Sequence, residues 1–338
     1  MSVRPSSIPS AGVWSLPARQ LGPPTGASDV IASSVRETLQ PDVAAAEAAM
    51  SSEKALPAFI DTHNREAAAR LPGLLTELGV TVTDEMIGAA HTYRLTPTAI
   101  DPKHTEHIFV YVHGGAYVLN AGQAGLAEAA LIAAHCRIQV VSIDYRMPPA
   151  DPFPAGFDDV IQVWSALSDE CSPTSFAMGG TSAGGGLVLA VVQELRATGR
   201  PVPGSLFAGT PWSDLTRTGD SYVTNEGVDR LLISYDATLA LAAHAYAGTN
   251  SLTERRLSPV YGEFDGFPPT MLVTGTRDLF LSNTARVHTK LRKAGVESDL
   301  LVFEGISHAD YALEAASPEH QLTYAELNRF LLQHLTGR

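Results

Sequence analysis

From residue 107 onward the chain carries six short apolar runs, separated by longer stretches with helical spacing. The runs are IFVYV at 108–112, IQVVSI at 138–143, SFAM at 175–178, LFAG at 206–209, MLVTG at 271–275 and LLVF at 300–303. A strand with one wet face alternates apolar and polar residues, whereas a continuously apolar run is a strand covered on both faces. The intervening stretches supply that cover: Phe157, Val160, Ile161, Trp164 and Leu167 recur at the spacing of a single helix stripe. Strands alternating with helices make an α/β domain with a mostly parallel sheet, whose sites form beyond the carboxyl ends of the strands. One interval departs from the rhythm. About sixty residues, 211–269, separate the fourth run from the fifth, well beyond an ordinary connection. They are expected to hold an inserted lid of helices that includes SYDATLALAAHAYA at 234–247.

Residues 42–77 are rich in Ala and Leu at helical spacing and are interrupted by Pro57 and Pro72, which predicts two or three helices. The opening 28 residues are rich in Pro, Ser and Gly and lack the continuous apolar segment of a secretory signal. They are expected either as a disordered arm or as a segment laid over the body or a partner subunit, and the location is expected to be cytoplasmic. With 338 residues, 45% of them hydrophobic, the chain can bury a sizeable core. No run reaches the roughly 18 apolar residues of a membrane span. A net charge of −13 lacks the basic surplus of a nucleic-acid binder. Cys136 and Cys171 are too few for a disulfide framework and read as small core residues.

Residues 176–189, FAMGGTSAGGGLVL, surround one serine with five glycines. A phosphate-binding loop would place Lys and then Ser or Thr after its last glycine, but Leu187 follows Gly186, and the dinucleotide fingerprint fits no register. The pattern that fits is G-x-S-x-G, with Gly180, Thr181, Ser182, Ala183 and Gly184. It places a nucleophilic serine on a sharp strand-to-helix turn, and here an apolar run precedes it and the helical GLVLAVVQEL follows it. The alternative is a glycine turn with an inert serine.

A nucleophilic serine needs a base, and the base needs an orienting carboxylate. MLVTGTRD ends in Asp278 and LLVFEGISH in His308, each just past a strand end on the edge that carries Ser182. Asp214, past the preceding strand, is the rival acid; His288 and His320 fall in helical stretches. The segment HIFVYVHGGAYVLN offers main-chain N–H groups for an oxyanion at Gly114, Gly115 and Ala116, and Ala183 adds one at a helix N-terminus. His113 reads as a loop-orienting side chain. His104, His107 and His113 lack typical zinc spacing, so no metal or other cofactor is expected.

The motifs HGGA at 113–116, DYRMPPADPFPAGFDD at 144–159 and GTSAGG at 180–185, followed by Asp278 and His308, stand in the order found in one family. Over roughly residues 85–335 the chain resembles the bacterial hormone-sensitive-lipase-like (family IV) esterases of the α/β-hydrolase fold, in their GTSAGG branch. The resemblance implies a catalytic core at 86–211 and 257–338, an N-terminal arm with cap helices at 1–85, and a cap insertion at 212–256. It implies a triad of Ser182, Asp278 and His308, and an oxyanion hole from the main chain of Gly114, Gly115, Ala116 and Ala183. The implied activity is hydrolysis of small-molecule esters with short to medium acyl chains, with lactones or aryl amides as alternatives. A protein of another class, a catalytically silent small-molecule binder on the same fold, would also match. Trp212, Tyr222 and Tyr235 are candidates to line the pocket, with ordinary packing as the alternative. A homodimer is expected through the last strand and the final helix, whose stripe is Tyr324, Leu327 and Leu331. The chain departs from the family at four places. Thr181 stands where many members have Asp, and Ala116 replaces a third glycine. RDLFLSN lacks the family's Pro and later acid. Asp310 follows Ala309 where Phe is usual, and it either tunes His308 or faces water.

Overall fold

The computed structural model describes residues 12, 20–51 and 54–337, so most of the Pro- and Ser-rich opening lies outside the described residues. Its described end is laid over the body. Pro24 is buried, Arg277 donates to the Gly22 carbonyl at 2.6 Å, and Ser28 binds Glu319 through both its N–H and its hydroxyl. Three helices follow: α1 (Asp29–Glu37), α2 (Val43–Ala49) and α3 (Ala55–Leu78). Ser28 and Asp42 cap the first two by accepting N–H groups from Ile31 and Ala45. α3 runs unbroken through both prolines that the sequence marks as interruptions. Pro57 sits in the first turn, where main-chain N–H groups have no partner within the helix anyway. Pro72 forfeits one bond on an exposed face of a helix of 24 residues, which continues to Gly79.

β1 (Val80–Ile87) and β2 (Ala90–Pro97) then form an antiparallel hairpin that the sequence reading does not anticipate. β1 alternates in exposure, so it lacks the continuous apolar character that marks the other strands. The sheet therefore begins at Val80, ahead of residue 86. β3 (Ile108–Val112), α4 (Ala127–Cys136), β4 (Gln139–Ile143), α5 (Ala155–Glu170), β5 (Phe176–Thr181), α6 (Ala183–Ala197) and β6 (Ser205–Gly209) alternate as expected. The long interval holds α7 (Ser221–Thr224), a π-helical turn at Tyr235–Leu239 and α8 (Ala240–Ala247). β7 (Thr270–Gly275), α9 (Leu281–Lys293), β8 (Ser298–Phe303), α10 (Asp310–Leu313) and α11 (Pro318–His334) complete the chain. Among the described residues, no helix is long and apolar enough to cross a membrane.

The sheet order is β1-β2-β4-β3-β5-β6-β7-β8. β3 to β8 are parallel, and β1 and β2 run antiparallel at one edge. Alternate residues of β3 feed two apolar layers, Val110 and Val112 on one face and Phe109 and Tyr111 on the other. In α5, Phe157, Val160, Trp164 and Leu167 are buried in the first layer, with Ile161 half-buried beside them. In α11, Tyr324, Leu327 and Leu331 are buried in the second layer. That corrects the sequence expectation for this stripe: it is packed inside its own chain and cannot serve as a dimer surface as it stands. Cys136 is buried and Cys171 half-buried, both as free thiols.

The register fixes where loops emerge. Val112 lies opposite Gly180, Thr181 opposite Gly209, and Gly275 opposite Phe303. The loops after β3, β5, β7 and β8 therefore leave one edge at nearly one level. The 144–159 segment braces this edge from the side of β4. Asp144 accepts the Gly122 N–H at 2.8 Å, and Asp159 accepts Arg146 through its main-chain N–H at 2.9 Å and its guanidinium at 2.8 Å. Asp159→Ala is expected to remove the acceptor of the Arg146 main-chain N–H and the ion pair of its guanidinium, and to lower stability by about 1–3 kcal/mol. Urea unfolding reads this as a lower midpoint at unchanged slope; an unmoved midpoint would mean that packing alone holds Arg146.

Candidate active site

Ser182 is the single residue between β5 and α6. It adopts φ 60° and ψ −122°, a conformation that costs a residue with a side chain about 1–3 kcal/mol. The surrounding structure imposes it. The Ser182 N–H donates to the Gly209 carbonyl at 2.8 Å, and its carbonyl accepts from Gly186 at 3.0 Å and Trp212 at 2.8 Å. At each of the five glycines a Cβ would meet another atom at under 3.0 Å, and two of them show how the elbow closes. A Cβ on Gly180 would strike the Val112 carbonyl oxygen and sit 2.8 Å from the Gly184 carbonyl carbon. One on Gly184 would strike Val112 as well and lie 2.7 Å from the His113 oxygen.

The turn after β3 meets this elbow directly. A Cβ on Gly114 would lie 2.6 Å from the Thr181 oxygen and 3.3 Å from Ser182 Cβ. Gly115, Ala116 and Tyr117 all have positive φ, at 114°, 52° and 62°. The Gly114 carbonyl is pinned by the His113 Nδ1–H at 2.8 Å and the Asn120 amide at 3.0 Å. In a trans peptide the N–H points opposite to the C=O, so this pinning turns the Gly115 N–H to the other side. Neither Gly115 nor Ala116 gives its N–H to an acceptor among the described residues. Ala183 opens α6, and its N–H is one of the donors that a helix start leaves free. His113 orients the loop as expected: its ring stacks on Tyr145 at 4.2 Å, and the Tyr145 hydroxyl holds the His113 carbonyl. Asn120 is in turn bound to α3, through His63 at 2.8 Å and Asn64 at 2.7 Å, a brace that sequence reading does not find.

Asp278 and His308, 30 positions apart in the chain, lie 3.1 Å apart, Oδ1 to Nδ1, and both are buried. A carboxylate accepts, so Nδ1 carries the proton and Nε2 presents a lone pair. Asp278 is fixed by the Phe280 N–H at 2.8 Å and the Thr274 hydroxyl at 2.7 Å. Burial pushes the His308 imidazole toward neutrality. The charge and hydrogen bond of Asp278, with the charges of Asp229 and Asp310, outweigh it and hold His308 above its ordinary 6.5. Packed rings lead from the elbow to this pair: Trp212, bound to the Ser182 carbonyl, stacks on Phe280, which meets His308 edge-on at 4.9 Å.

The other candidates are placed elsewhere. Asp214 binds Arg286 at 2.6 Å and Thr216, with no contact to His308. His288 binds Ser298 and His320 the Tyr311 carbonyl. His104 and His107 pair with each other, apart from His113. Asp310 does not face water: it is buried on Arg230 at 2.6 Å and accepts the Ser307 N–H. Tyr222 and Tyr235 pack edge to face and donate to the Asp214 and Leu215 carbonyls, so of the three aromatic candidates only Trp212 adjoins Ser182.

One buried acid escapes sequence reading. Glu128 on α4 accepts from Thr181 at 2.7 Å and Tyr111 at 2.8 Å, and Thr181 meets Tyr311 at 2.6 Å. Its carboxylate thus lies under the elbow, beside Thr181. Burial pushes its pKa up, against the pull of these hydroxyls. A lone acid in the otherwise apolar AGLAEAALIAA was the available signal.

The model of a family described by the α/β-hydrolase fold matches residues 109–312. The chain belongs to that family. Its relatives place it among the hormone-sensitive-lipase-like esterases. A crystal structure of an esterase, E25, is 43% identical and superposes with a TM-score of 0.93 over 96% of this chain and 99% of that one. An esterase from the bacterial hormone-sensitive lipase family superposes with a TM-score of 0.75 at 25% identity, over 91% of this chain and 97% of its own. An acetyl-hydrolase of Streptomyces hygroscopicus is 30% identical over 55% of this chain, a match spanning 62% of that protein, less than two thirds of its length.

Within this fold the elbow glycines are steric requirements, which a pair of substitutions separates. Gly184→Ala should lower Tm, because overpacking costs about 1–3 kcal/mol or more. Gly73→Ala, in an open position on α3, should raise Tm by removing a helix glycine worth about 0.5–1 kcal/mol. Equal responses in differential scanning calorimetry would refute the close-approach account.

Proposed function

We propose that this α/β-hydrolase is a serine carboxylesterase acting on small-molecule esters with short to medium acyl chains. The observation that supports this most is the buried Asp278–His308 hydrogen bond, set on the sheet edge where Ser182 is held in a strained turn. In this reading neutral His308 takes the Ser182 proton as the hydroxyl attacks the ester carbonyl, and Asp278 stabilises the imidazolium that forms. The N–H groups of Gly114, Gly115, Ala116 and Ala183 receive the oxyanion. His308 then protonates the departing alcohol, and water removes the acyl group by the same route. α1–α3 and residues 212–256 form the cap in this reading, Trp212 backs the acyl site, and the Ala116 methyl narrows it.

Ser182→Ala should lower turnover of a p-nitrophenyl ester by about 10⁴-fold or more at unchanged Tm. Labelling of the wild-type serine by a fluorophosphonate should appear as a mass shift. Normal turnover in the variant would remove Ser182 from the mechanism, and an unlabelled, folded protein would favour a silent binder. A panel of acyl lengths, a lactone and an anilide separates an ester preference from the lactonase and amidase alternatives.

The pH profile follows from His308. Catalysis needs the neutral imidazole, and its surroundings raise its pKa above 6.5, so activity should grow as pH rises through a midpoint above 6.5. A kcat/KM limb at or below 6.5 would contradict the electrostatic description of the pair.

A further inference from the structure

The insertion between β6 and β7 returns to the site at two consecutive residues, Asp229 and Arg230. Asp229 is fully buried, and its carboxylate accepts four main-chain N–H groups. Oδ1 takes Leu231 at 2.9 Å and Leu232 at 3.0 Å, within its own turn. Oδ2 takes Leu279 at 2.8 Å and His308 at 3.3 Å. Leu279 directly follows Asp278, so one oxygen atom ties together the loop of the acid and the loop of the imidazole. Arg230 holds the other side of the same loop: its N–H donates to the Ser307 hydroxyl at 3.2 Å and its guanidinium to Asp310. It also reaches Ser34 of α1 at 2.7 Å. Asn225, earlier in the insertion, donates to the Asp278 carbonyl at 2.8 Å.

We propose that Asp229 is a positioning residue for ester hydrolysis, holding the Asp278 and His308 loops in register from the insertion and placing a negative charge behind the imidazole. The proposal rests on the assignment of Ser182, Asp278 and His308 as the triad. A neutral acceptor could satisfy N–H groups equally well, but a buried carboxylate costs desolvation and is kept ionised only by such donors. Burial first, then the charge of Asp278, pushes Asp229 up to about 6, against the pull of His308 and of its main-chain N–H donors, which favour the ionised form. The charged groups around His308 are Asp278 after β7, Asp229 on the insertion, Asp310 on α10 with Arg230 paired to it, and Glu128 on α4. Each acid favours the imidazolium, so loss of the Asp229 charge lowers the His308 pKa.

The test is the pH dependence of kcat and KM for p-nitrophenyl acetate in the full-length protein. Asp229→Asn should lower kcat by about 10- to 100-fold, as expected when reacting groups are displaced by an ångström or less. KM should stay within about 2-fold, and the acid limb should move to lower pH. Asp229→Glu keeps the charge on a longer stem, so kcat should fall while the limb stays near its wild-type position. An unmoved limb in a folded Asn variant, or a rise in KM at constant kcat, overturns the proposal. If the Asn variant does not fold, wild-type kcat in Asp229→Glu overturns it by itself. Ser182→Ala run in parallel keeps the two levels apart. Residual turnover there defeats the triad, whereas an inactive Ser182→Ala with an unmoved Asp229→Asn limb defeats only the role of Asp229.

Discussion

The site depends on how closely two stretches of main chain approach beneath Ser182. Carbonyls of Val112 and His113 occupy the space where side chains of Gly180 and Gly184 would stand. That approach lets β5 turn into α6 through one residue, which is forced into positive φ and held there by hydrogen bonds to Gly209, Trp212 and Gly186. The same contact brings the turn at 113–116 against the elbow. Strand pairing and strain are thus one arrangement: because β3 and β5 are neighbours in register, the serine and the donor turn emerge side by side.

Electrostatics completes what packing begins. An imidazole buried to this degree would ordinarily lose its proton readily, and a carboxylate buried beside it would carry a large desolvation cost. The structure answers by saturating the carboxylates. Asp278 accepts from Phe280, Thr274 and His308, Asp229 from four main-chain N–H groups, and Asp310 from Ser307 and Arg230. The result is a basic imidazole at a buried position, set by its surroundings rather than by its own chemistry.

What could be read from the chain alone was what neighbours in sequence determine. Six parallel strands announced themselves as continuous apolar runs, and the elbow showed in the glycines on either side of Ser182. The β1–β2 hairpin was missed because its alternating residues resemble a polar linker. α3 was misjudged at Pro72, because an exposed helix of this length tolerates one lost hydrogen bond. Asp278 is the preferred acid by strand position and Asp214 its rival, and tertiary structure separates them: one faces His308 and the other an arginine. Glu128, Asn120 and Asp229 each act through at least one partner more than 50 positions away, which no local pattern encodes. The stripe of Tyr324, Leu327 and Leu331 shows the converse limit, since an apolar helix face does not reveal whether its partner is the same chain or another.

The path of the insertion has a consequence for how such proteins diversify. An insertion of this kind invites treatment as an interchangeable module, free to be replaced when a different pocket is wanted. Here the segment also carries Asn225, Asp229 and Arg230, whose bonds end on the loops of Asp278 and His308. Swapping it wholesale would remove the bonds that hold the loops of Asp278 and His308. Recombination between related chains should therefore succeed more often when its crossover points leave this stretch and its two receiving loops from the same parent.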